Sequence, residues 1–293
     1  MVRVHSILPM VNKAVILAGG LGTRFLPITK SIPKEMLPII NKPALQYISE
    51  EVEQAGIKSL CIVINDDKEA VKRHYGPHNK LEAILERDGK TEFLKAVKNV
   101  CGIPVEFAVQ DKPLGSGHAV VCAKEFAGGD DFALLNGDDV MYSDVSVTKQ
   151  LCACFEKYGK TVIGVQPVPR ELISKCGIVN VVRNEGRTYF IDKVMEKPDP
   201  SEVNGNLANL GRYVLSNSIF KVLESLKPAK NGEYQLTDAI NILAQRGEAA
   251  AYRFEGRRYD LGSKLGYMEA NIEFGLRDPE IGAALKEYLK TLI

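Results

Sequence analysis

Residues 14–38 read AVILAGGLGTRFLPITKSIPKEMLP, and this stretch decides how the rest of the chain is understood. Ala14 to Ala18 is a short apolar run with Val and Ile, the composition of a buried parallel strand. Gly19, Gly20 and Gly22 follow at once, so the backbone can bend sharply and lie close to a ligand. Arg24, Lys30 and Lys34 sit on the same connection, which Pro27, Pro33 and Pro38 stiffen. A glycine turn after a strand, backed by cations at fixed places, suits a polyphosphate. Two familiar phosphate loops are excluded. A dinucleotide fingerprint runs G-x-G-x-x-G straight into a helix, whereas Gly20-Leu21-Gly22-Thr23-Arg24 ends in Phe25 and prolines follow. A P-loop needs G-x4-G-K-[ST], and Gly19 and Lys30 lack that spacing.

Outward from this stretch, strand and helix alternate. Apolar runs at 13–18, 59–64, 105–110 and 132–136 read as strands. Helices are expected at 43–55 and 117–126, with two more in the charged stretch 65–100, whose charges read as a solvated face. This order predicts an α/β fold, a Rossmann-like doubly wound and mostly parallel sheet. Ligands of such sheets sit beyond the carboxyl ends of the strands. The glycine loop, Gln110 and Asp138 all fall on that edge. Farther on, 161–168, 177–182, 188–198 and 208–216 read as strands, and 217–226 as a helix. Thr237 is placed to cap the helix DAINILAQ, and AAAYRFEG is a strand delivering Tyr259-Asp260-Leu261-Gly262. Two helices, at about 264–276 and 279–291, end the chain.

The 293 residues are 45% hydrophobic and 26% charged, an ordinary globular composition. A net charge of +1 gives no general reason to bind nucleic acid or an anionic membrane, so an anion site must be local. The six cysteines form no C-x-x-C pair and the four histidines no cluster, which argues against a transition-metal site. Reduced thiols fit the cytoplasm. The N-terminal MVRVHSILPMVN lacks the apolar core and cleavage site of a signal peptide, and no run is long enough to span a membrane.

Three constellations carry possible chemistry. Asp138 and Asp260 each follow an apolar strand beside a glycine. They could share one Mg²⁺, with phosphate oxygens and water completing its octahedron, or simply open turns. Asp139 adjoins Asp138, which leaves open which carboxylate faces the ion. Glu196-Lys197-Pro198 offers an acceptor for hydroxyls and a cation for a phosphate; on a surface it would do neither. The Gln110 amide could satisfy a donor and an acceptor on a base edge.

The pattern G-G-x-G-T-R-x-x-P…P-K-x-x-x-P across 19–38 resembles the signature of the sugar-1-phosphate nucleotidylyltransferases. PKEMLP, NKPALQYISEE, GSGHAV, EKP, NLGRYVLS and EYQLTDAI resemble the bacterial UTP–glucose-1-phosphate uridylyltransferases in particular. The resemblance covers about 13–275. It implies a single domain, 1–293, with a nucleotide-binding half (about 13–140), a sugar-binding half (about 141–262) and C-terminal helices. The implied reaction is Mg²⁺-dependent in-line displacement. UTP and α-D-glucose 1-phosphate give UDP-glucose and pyrophosphate, with no covalent intermediate. Such transfer needs cations, a metal ion and positioning rather than an acid–base triad, and the chain offers no Ser/His/Asp set. By the same resemblance Arg24, Lys34 and Lys197 serve the phosphates. Ala18, Gly19, Gly20, Gly22, Thr23, Gln110 and Gly115 bind the nucleotide. Asp139, Gly177, Glu196, Asn209 and Gly211 bind the sugar, and Asp138 and Asp260 the metal. A homo-oligomer, dimer or tetramer, is implied as well, with Ile281, Leu285, Tyr288 and Leu289 on its candidate surface. Two alternatives stand beside this reading: the same chemistry with dTTP, and a non-catalytic nucleotide-sugar sensor.

Overall fold

The computed structural model describes residues 11–229 and 231–292, so most of the N-terminal segment weighed as a signal peptide lies outside the described residues. Strand β1 (Lys13–Leu17) leads through three single 3-10 turns into the short ribbon β2 (Pro38–Ile39) and β3 (Lys42–Pro43), then helix α1 (Ala44–Gln54). Next come β4 (Ser59–Ile64), α2 (Glu69–Tyr75), α3 (Asn79–Arg87), α4 (Thr91–Lys98) and β5 (Val105–Val109). They are followed by α5 (Ser116–Cys122), α6 (Lys124–Ala127), β6 (Phe132–Asn136), β7 (Asp139–Tyr142), α7 (Val147–Tyr158) and β8 (Thr161–Pro167). The chain continues with β9 (Gly177–Glu185), β10 (Thr188–Glu196), β11 (Leu207–Leu215), α8 (Ile219–Ser225) and α9 (Leu236–Gln245). It ends with β12 (Ala249–Arg253), β13 (Arg257–Asp260), α10 (Lys264–Arg277) and α11 (Gly282–Lys290).

One nine-stranded sheet runs β5-β4-β1-β6-β11-β8-β12-β10-β9. Side chains leave β1 to alternate faces, and both faces are covered. Ala14 and Ile16 join Ile48 and Val52 of α1 and Leu151 of α7 in one layer. Val15 joins Val120 of α5, Phe220 of α8 and Ile240 of α9 in the other. Burial on both sides, roughly 1.5–3 kcal/mol for each large aliphatic side chain, explains why β1 reads as an unbroken apolar run.

The sheet is mixed, which corrects the expected mostly parallel one. The β5-β4-β1-β6 block is parallel, as is β8 with β12. However, β11 runs antiparallel to both β6 and β8. β10 is antiparallel to β12 and to β9. Hydrophobic pattern reports burial, not direction. Direction is set by the connections: a two-residue loop between Glu185 and Thr188 can join only antiparallel strands.

Two further expectations change. Asp260 is not carried by β12 but by the separate strand β13, which pairs antiparallel with β7 and sets Asp260 opposite Asp139. The helix expected at 117–126 is interrupted at Ala123. In the parallel block the register aligns Leu17 with Val63 and Asn136, and Ile64 with Val109. Their following loops therefore emerge along one edge.

Candidate active site

The glycine loop forms one wall of that edge. Gly22 holds φ 67, a conformation that favours glycine, and its carbonyl accepts a hydrogen bond from Thr29 Oγ1 at 2.9 Å. A Cβ on Gly19 would stand 2.8 Å from Gln110 Oε1. Gln110 is buried, and its Nε2 donates to the Gly115 carbonyl at 3.1 Å and lies 3.1 Å from His118 Nδ1. Gly19, Gly20, Leu21, Gln110, Gly115 and Asp138 line a cavity of about 330 Å³. Of the other expected nucleotide residues, Ala18 is buried beneath the loop, and Thr23 is exposed at the start of a 3-10 turn.

Across from this wall stands Asp138, between β6 and β7. Pro33 and the 3-10 turn Lys34–Met36 fix the backbone of Lys34, whose Nζ donates to Asp138 Oδ2 at 2.6 Å. Burial lowers the pKa of the Lys34 ammonium, but Asp138 and Glu35 outweigh it and the net shift is upward. Burial raises the Asp138 carboxyl, yet Lys34 and Arg258 hold it below the usual carboxylate range. Both members of the pair are thus charged at neutral pH. Arg24 Nη1 donates to the Gly262 carbonyl at 3.2 Å, and the Gly262 N–H donates to Asp260 Oδ1 at 2.9 Å. A Cβ on Gly262 would lie 3.0 Å from Asp260 Oδ1, 3.1 Å from Arg24 Nη1 and 3.3 Å from Asp138 Oδ2. Three of the expected residues, Arg24, Asp138 and Asp260, therefore meet around one glycine, and Lys34 joins them through its ion pair with Asp138.

Asp138 and Asp260 offer hard carboxylate oxygens, and among the described residues no group of three or more His, Cys, Asp or Glu gathers to hold a metal. That donor set fits a hard cation that takes its remaining oxygens from phosphate and water, as Mg²⁺ does.

Next to the glycine-loop cavity lies a second, of about 220 Å³. All five expected sugar residues, Asp139, Gly177, Glu196, Asn209 and Gly211, line it. Ser116 and Asn136 line both cavities, so the two adjoin. Gly211 holds φ 73, and a Cβ there would strike Asp139 Oδ2 at 2.3 Å. Asp139 Oδ1 accepts from Arg258 at 2.6 Å and Oδ2 from Asn136 Nδ2 at 3.2 Å. Burial pushes its carboxyl up to about 6, against the pull of Arg258. In this arrangement Asp138 faces Lys34 and Gly262, while Asp139 faces Arg258 and Gly211. Asn209 Nδ2 donates to the Tyr213 hydroxyl at 2.8 Å. Glu196 Oε2 accepts from Thr237 Oγ1 at 2.9 Å, which corrects the capping role expected of Thr237. That residue lies inside α9, whose N-cap is Gln235, and its hydroxyl is spent on Glu196. Lys197 is less engaged. Its φ is 45, its N–H donates to the Cys176 carbonyl, and its exposed ammonium lies 3.6 Å from Glu196 Oε1.

Sequence reasoning missed the buried charges behind these walls. Lys68 falls in the stretch read as a solvated face, yet it is 4% exposed. Its Nζ lies 2.7 Å from Glu35 Oε2 and also donates to the Ala18 carbonyl. Its neighbours Asp66, Asp67 and Glu69 gave it the look of a surface charge. Arg212 had a signal, since it interrupts the apolar run of NLGRYVLS. It is fully buried and donates to Glu51 and, at 2.6 Å, to the Asp139 carbonyl.

The Nucleotidyl transferase family model matches residues 13–275. A UTP–glucose-1-phosphate uridylyltransferase of Bacillus subtilis (strain 168) is 44% identical over 284 residues, 97% of this chain and 96% of that protein. One from Staphylococcus epidermidis is 44% identical over 283 residues, 96% and 98% of the two chains. Among solved structures, a UTP-bound UGPase from Acinetobacter baumannii superposes with a TM-score of 0.90 at 36% identity, covering 97% of this chain and 100% of that one. A UDP-glucose pyrophosphorylase complexed with UDP-glucose gives 0.83 at 37% identity, covering 92% and 100%. The match along nearly the whole chain, in sequence and in fold, establishes that it belongs to the nucleotidyl transferase family.

Proposed function

We propose that the chain transfers the uridylyl group of UTP to α-D-glucose 1-phosphate, giving UDP-glucose and pyrophosphate. The observation that carries this reading is the pair of adjoining cavities, one walled by the glycine loop and one by Asp139, Glu196 and Gly211, with Lys34 and Asp138 nearby. Relatives named for this reaction, at 44% identity, support it.

In this reading the uracil lies against Gly19, Gln110 and Gly115, where one amide can pair with the base edge. Gln110 is held for that task by Gly115 and His118. Glucose hydroxyls meet Glu196, Asn209 and Asp139, and Gly177 and Gly211 leave them room. Phosphate monoester oxygens are ionised at neutral pH, so the nucleophile needs orientation and not a base. Lys197, beside Glu196 at the sugar cavity, offers its ammonium to the glucose phosphate. Arg24 and Lys34 offset the charge that grows on pyrophosphate as the bond to the α-phosphorus breaks. Asp138 and Asp260 would hold Mg²⁺, which when bound supplies a Lewis-acid charge to the phosphate oxygens.

Pyrophosphate release tests the reading, measured with four nucleoside triphosphates and several sugar 1-phosphates. UTP with glucose 1-phosphate should be fastest. A preference for dTTP would overturn the base assignment, and no release from any pair would favour the sensor.

The reading extends to assembly and place. Leu265, Met268, Ile272 and Leu276 are exposed on α10, and Ile281 and Tyr288 near α11. Leu285 packs inward on Gly275. We assign the exposed face to a homo-oligomer, testable by light scattering. The cysteines are free, which with a nucleoside triphosphate substrate favours the cytoplasm. No helix of the described residues is long and apolar enough to cross a membrane.

A further inference from the structure

The glycine loop is held from behind by the β4–α2 connection, residues the proposed reaction leaves unused. Lys68 Nζ donates to the Ala18 carbonyl, and Asn65 Nδ2 donates to the Gly19 carbonyl at 3.3 Å. In a trans peptide the N–H points opposite to the C=O. The Ala18 carbonyl shares its peptide with the Gly19 N–H, and the Gly19 carbonyl shares its own with the Gly20 N–H. Fixing both carbonyls therefore turns both N–H groups to the opposite side. Gly19 and Gly20 line the cavity there, and neither Asn65 nor Lys68 does. Successive N–H groups turned the same way make a site for a partial or full negative charge.

Lys68 has a second attachment. Its ion pair with Glu35, 2.7 Å long, ties the glycine loop to the segment that carries Lys34. Glu35 is 1% exposed and sits one residue past Lys34 on the same 3-10 turn. One buried ammonium thus links the two loops whose backbone amides and cation face the nucleotide.

We propose that Lys68, with Glu35, is a positioning residue for the nucleotide. It sets the peptide planes of the glycine loop and their distance from Lys34, and among the described residues its hydrogen bonds go to Ala18 and Glu35 and not to the sugar cavity. The proposal rests on the uridylyl-transfer reading above and names a determinant of UTP binding within it.

The test compares wild type with Lys68→Met and Glu35→Gln by steady-state kinetics, calorimetric binding of UTP, and melting temperature. Lys68→Met is expected to raise the KM and the Kd for UTP at least about tenfold, the scale at which small misplacements act. The KM for glucose 1-phosphate should stay within about twofold. Glu35→Gln keeps an acceptor for Lys68 and should shift UTP binding in the same direction by less. Unchanged UTP parameters in Lys68→Met overturn the proposal. So does a parallel rise in both KM values, the mark of a merely structural lysine. If Lys68→Met does not fold, Glu35→Gln decides: weaker UTP binding supports the proposal and wild-type binding overturns it. A wild-type protein that binds UTP but releases no pyrophosphate refutes the reaction alone, and the binding measurements still test Lys68.

Discussion

Glu51 and Glu35 are both buried carboxylates behind the site, each tied to a buried cation, but they are tied differently. Behind the acidic wall, Glu51 Oε1 accepts from Thr148 Oγ1 at 2.7 Å and its N–H at 3.1 Å, while Oε2 accepts from Arg212 at 2.8 Å. Arg212 then spends its remaining donors on the carbonyls of Asn136, Asp139 and Gly211. Behind the glycine wall, Glu35 uses only Oε2, for Lys68. Glu35 Oε1 and Asn65 Oδ1 are the two buried side-chain oxygens without a hydrogen-bond partner among the described residues. Burial raises the Glu35 carboxyl and lowers the Lys68 ammonium, each against the pull of its partner. A buried pair is worth having only when its geometry and remaining hydrogen bonds offset desolvation. By that measure the acidic wall is finished structure. The glycine wall carries a less completely satisfied pair, as expected if it serves to position the loops rather than to stabilise them.

The strongest test of this contrast is Arg212→Met. It leaves Glu51 buried and unpaired, and breaking such a pair costs about 3–5 kcal/mol. Denaturant unfolding should show that loss at an unchanged m-value. A loss under about 1 kcal/mol would mean that the acidic wall is no better built than its neighbour. The next effect belongs to Lys34, whose ammonium bridges the walls at 2.6 Å from Asp138. Lys34→Ala should lower kcat/KM on the order of a hundredfold, about 2.7 kcal/mol. Its stability loss should be smaller than that of Arg212→Met, because this pair is less completely buried. Wild-type turnover would remove Lys34 from the reaction.

These variants also mark how far the sequence could be read. The glycine turn, the proline-stiffened lysine and the aspartates past strand ends could be located from their own residues, while the parts assigned to them came from the family resemblance. Strand direction was not, because β11 has the same apolar pattern whichever way it lies beside β6. The partner of β13 was not, because the pairing of Asp260 with Asp139 joins residues far apart in the chain. Lys68 was hidden for a different reason. A charge buried by tertiary contacts has no periodicity of its own, and its acidic neighbours are solvated. Arg212 could have been found, since an arginine inside an apolar strand must find a buried partner.

Gly211 offers a smaller effect, confined to the acidic wall. An alanine there would keep φ 73, which costs a non-glycine residue roughly 1–2 kcal/mol. It would also press on the carboxylate of Asp139, which Arg258 and Asn136 hold. Gly211→Ala should destabilise by about 2 kcal/mol and raise the KM for glucose 1-phosphate more than that for UTP. The opposite ratio would mean that the two cavities do not divide the substrates as proposed.

The smallest effect is also the one with an unusual sign. If Glu35 and Lys68 cost stability, replacing both with apolar residues of similar size should return some of it. For imperfect buried pairs the gain lies between nothing and a few kcal/mol, here set at about 1 kcal/mol. The double variant Glu35→Leu/Lys68→Met should therefore melt at or above the wild-type temperature while binding UTP less tightly. The same treatment of the other pair, Glu51→Leu/Arg212→Met, should melt lower, because the Thr148 hydroxyl and three backbone carbonyls would lose their partners. Opposite shifts in the two double variants, with weaker UTP binding in the first, would support one wall built for stability and the other for the nucleotide. Equal losses in both would show that the Glu35–Lys68 pair stabilises the fold as the Glu51–Arg212 pair does, and would break the contrast between the walls.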